Sequence, residues 1–311
     1  MTLTKGRAMK DIPGYTFTKI EPVKKGWSGD EKYYVETNDG QKLLLRISDI
    51  KKHDEKKAEY KAIAKAAALG PFMPQPFRFG TCGKREKQVY YLTSWLEGED
   101  AAKAMEKMSD TERYTLGMKA GKLLRALHAL PTPENAEPWD SRFARKMRGR
   151  LADYHKNKKQ KSPEQIECGE LLKKYLEDNA HLLKNRRQTF CHGDFNWTNI
   201  MVLPSGEVGA VDFACDLDQK TYGDPLFDFI HIIYTDTLDP YYFTGLWNGY
   251  SNGFPDDEFF TMTAYYFAYD AFSSLCGNRK FDNGGFDKKA LDWYDYFRSV
   301  VPSWYLKERT L

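Results

Sequence analysis

The stretch that decides the fold spans residues 190–213 and reads FCHGDFNWTNIMVLPSGEVGAVDF. Two short apolar runs flank Ser205-Gly206, and this pattern predicts an antiparallel β-hairpin. A turn centred between those two residues would pair residue 203 with residue 208 and, further along, Asn199 with Asp212. Both side chains offer oxygen atoms, so the hairpin predicts half of a site for a hard divalent cation such as magnesium.

A further carboxylate, that of Asp194, precedes this hairpin. It lies on the segment that enters the first strand, where it could accept the proton of an attacking hydroxyl. Phosphoryl transfer depends mostly on positioning and on charge neutralisation. One base and two metal ligands therefore form a minimal set for that reaction.

Outward from the hairpin, the chain changes character near residue 97. Residues 1–97 read mostly as strands, with a hairpin signal at Asn38-Asp39-Gly40 and one helix over residues 51–69. Residues 98–311 read as helices, of which two begin at the cap residues Ser109 and Ser162. This order predicts an α+β fold: a small antiparallel sheet lobe with one helix (residues 1–97), and a larger, mainly helical lobe (residues 98–311).

Composition narrows the class of protein. Hydrophobic residues form 41% of the 311 residues, which is enough for a core and excludes general disorder. Five cysteines without a Cys-x-x-Cys pair argue against disulfide and zinc scaffolds, and no apolar run is long enough to span a bilayer. We therefore expect a cytoplasmic protein without a membrane partner, and a monomer.

Charge is distributed unevenly along the chain. Residues 191–311 contain 8 Lys and Arg against 18 Asp and Glu, although the whole chain has a net charge of +3. An acidic surface of this kind attracts cations, either metal ions or a polycationic ligand. Aromatic side chains are sparse among the basic residues of segment 142–161, with only Tyr154 near its middle, so we expect no nucleic-acid partner other than a nucleotide.

Several of these motifs match one known family. His192-Gly193-Asp194, followed by Asn199 and by Asp212-Phe213, resembles the catalytic and metal-binding loops of the protein-kinase-like fold. Gly193 and the downstream Gly223-Asp224-Pro225 are similar to the aminoglycoside phosphotransferase family. The resemblance covers nearly the whole chain and includes residues 26–30, 43–47, 95–100 and, more weakly, 301–305.

The resemblance implies a role for each matching residue of the catalytic loop. Asp194 would be the catalytic base, and His192 would brace the loop through hydrogen bonds. Asn199 and Asp212 would hold Mg²⁺.

The family resemblance also implies a nucleotide-binding site in the first lobe. Arg46 stands where protein kinases have a phosphate-binding lysine, with Lys42 as the fallback on the same face. Glu59 resembles the glutamate that pairs with this basic residue, although a solvated helix charge is the alternative interpretation. The remaining implied residues are a loop over the phosphates (Gly26, Ser28, Gly29) and a hinge whose backbone meets adenine (Ser94, Trp95, Leu96).

The implied function is phosphotransfer from ATP or GTP, with Mg²⁺, to a hydroxyl of a small molecule. An aminoglycoside-like polycation is the favoured acceptor, which would make antibiotic resistance the biological role. The alternatives are a kinase for another metabolite, of the homoserine, choline or fructosamine type, and a nucleotide-binding pseudokinase that acts as a scaffold.

Overall fold

The computed structural model describes residues 12–24, 29–214, 221–234, 238–276, 301–302 and 304–306. The chain divides into two compact units. The first unit comprises residues 1–104 and 197–221, and the second unit comprises residues 105–196 and 222–311. The hairpin of the deciding stretch thus belongs to the same unit as the N-terminal sheet.

Strands dominate the first unit and helices the second. The strands are β1 (Phe17–Pro22), β2 (Glu31–Thr37), β3 (Lys42–Asp49), β4 (Pro76–Cys82), β5 (Gln88–Ser94), β6 (Glu99–Asp100), β7 (Thr189–Phe190), β8 (Ile200–Val202), β9 (Val208–Ala210) and β10 (Tyr222–Gly223). The α-helices are α1 (His53–Ala66), α2 (Ala101–Met105), α3 (Asp110–His128), α4 (Trp139–Asn157), α5 (Pro163–Asp178), α6 (Pro240–Ser251) and α7 (Asp257–Cys276). Residues 225–234 form a 3₁₀-helix.

The first unit is built on an antiparallel sheet with the strand order β1-β2-β3-β5-β4. Alternate residues of β2 and β3 point to its core, where Val35, Leu43 and Leu45 are almost completely buried. The β2–β3 turn ends at Gly40, whose φ of +82° suits glycine. A second, smaller sheet in this unit has the order β6-β8-β9.

The second unit packs helices around aromatic side chains. Trp247 of α6 lies edge-on to Phe259 of α7, with ring centroids 5.0 Å apart, and Trp139 of α4 donates a hydrogen bond to the hydroxyl of Tyr266 at 2.7 Å. Helix α3 begins with a capping box between Ser109 and Glu112, as the sequence predicts.

Glycines let α3 and α6 approach each other closely. A Cβ atom at Gly117 of α3 would lie 2.0 Å from the carbonyl oxygen of Tyr242, and one at Gly249 of α6 would lie 2.2 Å from that of Met118. Because both obstacles are backbone atoms, any larger residue would force the two helices apart.

The predicted α+β fold class, with an N-terminal antiparallel sheet and a helical C-terminal region, is confirmed. The α-helix predicted over residues 51–69 covers His53–Ala66 and has a 3₁₀ turn at each end. In the part of the chain that the structure describes, no helix has the length and apolar character needed to cross a membrane.

Candidate functional site

The hairpin forms, but its register differs from the predicted one. Ile200 pairs with Ala210 and Val202 with Val208, and the amide of Leu203 donates to the carbonyl of Glu207. The connection therefore has three residues rather than two. It closes through Gly206, whose φ is +78°, the left-handed position that a three-residue hairpin loop requires.

This shift corrects the predicted pairing of Asn199 with Asp212. The carbonyl of Asn199 accepts a hydrogen bond from the amide of Val211, so Asp212 is the next residue beyond the pair. Asp212 has a φ of +58°, a conformation that Asp adopts more easily than most residues and that redirects the side chain. The carboxylate is therefore placed by a backbone turn rather than by the strand ladder.

The Asp212 carboxylate meets two basic side chains of the same unit. Its Oδ1 accepts a hydrogen bond from Nη1 of Arg46 at 2.9 Å, and its Oδ2 accepts one from Nζ of Lys32 at 2.7 Å. Lys32 and Arg46 lie directly opposite each other on β2 and β3. The Asp212 side chain remains 31% exposed, whereas both cations are buried.

Arg46 is held by further buried partners. Its Nε donates to Oδ2 of Asp30 at 2.8 Å and its Nη1 to Oε1 of Glu59 at 2.7 Å. The Tyr91 hydroxyl donates to the same Glu59 oxygen at 2.6 Å. Glu59 is thus a buried partner of Arg46, and the interpretation of a solvated helix charge is wrong.

Lys56 completes this group, because its Nζ lies 2.7 Å from both Asp30 and Glu59. Burial by itself raises the pKa of Asp30, but the hydrogen bond from Lys56 and the charges of Arg46 and Lys56 outweigh burial and hold that pKa well below its ordinary value. We name this group the ion-pair cluster, and its members are Asp30, Lys32, Arg46, Lys56, Glu59, Tyr91 and Asp212.

Sequence reasoning missed Lys32 as a member of this cluster. The signal was present, because the hairpin around Asn38–Gly40 places Lys32 directly opposite Arg46. The fallback residue, Lys42, instead pairs with Glu97, and its side chain is 49% exposed.

The other predicted nucleotide-binding residues are only partly described. Gly26 and Ser28 lie outside the described residues, whereas Gly29 has a φ of +67° and directly precedes Asp30. At the predicted hinge, the amide of Ser94 donates to the carbonyl of Gln75 at 2.8 Å and that of Trp95 to the carbonyl of Lys42 at 3.0 Å. Leu96 follows them and is buried.

The predicted catalytic loop lies in the second unit, where Asp228 fixes its backbone. Oδ2 of Asp228 accepts from the amide of His192 at 2.7 Å, and Oδ1 accepts from the amide of Gly193 at 2.8 Å. The Nε2 of His128 lies 3.1 Å from Oδ2. Burial raises the pKa of Asp228, but the hydrogen bond and charge of His128 outweigh it and lower that pKa overall.

Within the loop, His192 is completely buried, and its Nδ1 accepts from the amide of Asp194 at 3.3 Å. This contact suits the predicted bracing role. The partly exposed carboxylate of Asp194 accepts a hydrogen bond from Nδ2 of Asn196 at 2.9 Å. Its orientation is therefore set by a neighbour in the same loop.

One group in this unit has the composition of a metal site. Candidate ligand atoms of His128, Cys191 and Asp228 lie within 4.8 Å of one another. The Asp228 oxygens already accept from two backbone amides, and burial raises the pKa of the Cys191 thiol well above its ordinary value. These groups therefore act as a hydrogen-bonded support for the loop.

Several acidic residues of the second unit have structural partners. Asp224 pairs with Arg186 and accepts from the amide of Leu226, so it caps the 3₁₀-helix that follows. Asp256 caps α7 through the amide of Phe259. Two further acidic residues of the acidic segment 191–311, Asp292 and Asp295, lie outside the described residues.

The family model described as the phosphotransferase enzyme family matches residues 19–262, and the chain belongs to this family. The predicted family and the predicted enzyme class, a phosphotransferase with an alcohol group as acceptor, are confirmed. A search of curated proteins finds no match.

Solved structures show the same fold at low sequence identity. The amicoumacin kinase hAmiN, in complex with AMP-PNP, Ca²⁺ and Ami, is 12% identical with a TM-score of 0.61 over 93% of this chain and 92% of that chain. The ADP-bound aminoglycoside phosphotransferase APH(2'')-Ib is 14% identical with a TM-score of 0.61, covering 90% and 93%. A choline/ethanolamine kinase family protein from Mesorhizobium loti is 18% identical with a TM-score of 0.55, covering 93% and 89%.

Proposed function

We propose that the protein transfers the γ-phosphate of ATP or GTP, with Mg²⁺, to a hydroxyl of a cationic small molecule. The observation that carries this proposal is the arrangement around Arg46, which bridges Glu59 of the helix and Asp212 beyond the hairpin. Phosphotransferases need a fixed cation beside the phosphates and an acidic metal ligand nearby. Structurally similar proteins were solved with AMP-PNP and with ADP.

The first unit would bind the nucleotide. Arg46 would contact its phosphates, and Glu59 would hold the guanidinium in place. The amides of Ser94 and Trp95 donate within the protein, so an adenine edge at the hinge would meet Leu96 rather than these two groups. Gly29, together with Gly26 and Ser28, would cover the phosphates with backbone amides.

The donor set fits magnesium. Asp212 offers a carboxylate and Asn199 an amide oxygen, which are the hard ligands that Mg²⁺ prefers. Magnesium bound there would neutralise charge on the phosphate oxygens.

Asp194 would accept the proton of the attacking hydroxyl. The hydrogen bond from Asn196 orients its carboxylate, and His192 and Asp228 hold the backbone of its loop. The residue is partly exposed, so an acceptor hydroxyl can reach it.

The excess of carboxylates in residues 191–311 favours a cationic acceptor such as an aminoglycoside, in which case the protein would act in antibiotic resistance. A second candidate acceptor is choline or a related amino alcohol, because a choline/ethanolamine kinase family protein shares the fold. Both acceptors carry a hydroxyl and a cationic nitrogen.

The test is ADP release measured with a panel of aminoglycosides and amino alcohols in the presence of ATP or GTP and Mg²⁺. We expect at least one acceptor to stimulate turnover, and Asp194→Asn to abolish that stimulation while nucleotide still binds. Equal turnover by wild type and Asp194→Asn would contradict the proposed base. Nucleotide binding without any stimulated turnover would favour the pseudokinase alternative.

A further inference from the structure

Lys32 is a buried ammonium group that depends on Asp212. Its side chain is 7% exposed, and Nζ lies 2.7 Å from Oδ2 of Asp212. Among the described residues, Asp212 is the carboxylate recorded within salt-bridge distance of Lys32. A buried ammonium needs an anionic partner, because the cost of removing it from water is otherwise not offset.

The other two buried cations of the ion-pair cluster do not depend on Asp212 in this way. Arg46 and Lys56 both contact Asp30 and Glu59, so that two buried cations face two buried carboxylates. The more exposed Lys52 and Glu55 contact Asp30 and Lys56 and add one charge of each sign. We call Asp30, Arg46, Lys56 and Glu59 the inner set of the ion-pair cluster. Its positive and negative charges remain equal in number when Asp212 leaves. The charge that becomes unbalanced is that of Lys32.

The proposed metal role of Asp212 conflicts with its contact to Lys32. The two Asp212 oxygens already accept from Arg46 and Lys32. A divalent cation bound to the same carboxylate would compete with the ammonium and repel it. Lys32 would then need another anion, and the phosphates of a nucleotide are the anions that the proposed function brings to Asp212.

We propose that Lys32 is a second phosphate-contacting residue, which exchanges Asp212 for a nucleotide phosphate and thereby couples metal binding to nucleotide binding. This inference rests on the proposed function. Without nucleotide, Lys32 and Arg46 hydrogen-bond to Asp212, the proposed metal ligand, so the metal alone binds weakly. With nucleotide, the phosphates draw Lys32 away and Asp212 becomes available. Such coupling is reciprocal, so the metal must strengthen nucleotide binding by the same factor.

The first experiment measures ADP binding by calorimetry in the presence of EDTA, so that no metal contributes. We expect Lys32→Gln to weaken ADP binding about tenfold, because a charge-assisted hydrogen bond to phosphate is lost. The affinity for AMP, which has a shorter phosphate chain, should fall less than the affinity for ADP in the same variant. The matched control is Lys42→Gln, which removes an exposed lysine of the same sheet and should leave ADP binding unchanged.

A double-mutant cycle separates a phosphate contact from an effect that acts only through Asp212. Asp212→Asn should strengthen metal-free ADP binding, since it releases Lys32 and removes a negative charge. Adding Lys32→Gln to that variant should weaken ADP binding about tenfold. The double variant removes the positive charge of Lys32 together with the negative charge of Asp212, so no unpaired charge is left. It can therefore be compared with Asp212→Asn even if Lys32→Gln alone does not fold.

The second experiment measures Mn²⁺ binding without nucleotide by electron paramagnetic resonance. We expect Lys32→Gln to bind Mn²⁺ more tightly than wild type, because one competitor for Asp212 is gone. Unchanged Mn²⁺ affinity would overturn the coupling.

An ADP affinity that changes by less than about twofold on adding Lys32→Gln to Asp212→Asn would overturn the phosphate contact, whatever Lys32→Gln does in the wild-type background. That result is distinguishable from failure of the proposed function. If wild type binds neither ADP nor ATP with Mg²⁺, the proposed function fails. If wild type binds and the Lys32 variants bind equally well, only the role of Lys32 fails.

Discussion

Two carboxylates, Asp212 in the first unit and Asp228 in the second, are satisfied in opposite ways. Asp228 is 2% exposed and accepts from two backbone amides besides His128. Asp212 is 31% exposed and accepts from the side chains of Arg46 and Lys32. One carboxylate is fixed by the backbone, whereas the other is held by cationic side chains, of which Lys32 has no other recorded carboxylate partner among the described residues.

This difference separates a structural carboxylate from an exchangeable one. Backbone amides cannot leave Asp228 unless the loop around His192 and Gly193 unfolds. A lysine ammonium can move to another anion by rotating its own side chain. The comparison predicts that removing charge at Asp228 reduces stability, whereas removing it at Asp212 changes mainly ligand binding.

The largest effect is expected for Asp228→Asn. One oxygen acceptor is replaced by an amide group that faces a backbone donor, and Nε2 of His128 loses its charged partner. We therefore expect a loss of about 3 to 5 kcal/mol in the free energy of unfolding. Urea denaturation followed by circular dichroism measures it. A loss below about 1 kcal/mol would contradict the structural role of this carboxylate.

A smaller loss is expected for Glu59→Gln. The substitution removes the charge that Arg46 and Lys56 share and leaves the inner set of the ion-pair cluster with an excess of one cation. We expect a loss of about 2 kcal/mol, together with weaker nucleotide binding. The same urea denaturation measures stability, and stability equal to wild type would mean that Glu59 is dispensable for the cluster.

Acidification should weaken the stabilising contribution of Asp228. Interactions lower the pKa of Asp228 in the folded state. Its stabilisation is therefore complete above the ordinary carboxyl pKa and is lost as the pH falls towards the lower folded value. We expect wild-type stability to fall below about pH 4 and Asp228→Asn to show a shallower decline. Parallel pH profiles of the urea midpoint would refute this assignment.

The smallest change in stability is expected for Asp212→Asn, because the lost ion pairs involve a carboxylate that is about one-third exposed. We expect a loss of about 1 kcal/mol, because solvent screens the pairs at this carboxylate and because the flexible side chain of Lys32, left without its anion, can turn its ammonium group towards water. Acceptor-stimulated ADP release should nevertheless be lost, because the metal ligand is gone. Retained turnover at saturating Mg²⁺ would contradict the metal role.

Much of the fold could be predicted from local sequence patterns. The turn signal at Asn38-Asp39-Gly40 predicted the hairpin of β2 and β3, and the cap residue Ser109 predicted the start of α3. The spacing from His192 to Asn199 and Asp212 identified the family correctly, because each motif is a short run of neighbouring residues. The family resemblance connected Glu59 to Arg46, and the structure places the two side chains in contact.

The hairpin register and the partners of the two carboxylates could not be obtained in this way. Ser205-Gly206 is compatible with both a two-residue and a three-residue loop, and the choice moves Asp212 by one position. The contact between Lys32 and Asp212 joins residues 180 positions apart. Likewise, Asp228 meets the His192 amide only after the second unit has folded.

Periodicity, caps and short motifs therefore established the elements, their order and the enzyme family, because these depend on interactions between near neighbours. Packing decided which charges meet, because an ion pair between distant residues depends on the position of every element that separates them. The contact between Lys32 and Asp212 is an ion pair of this kind, and only the tertiary structure shows it.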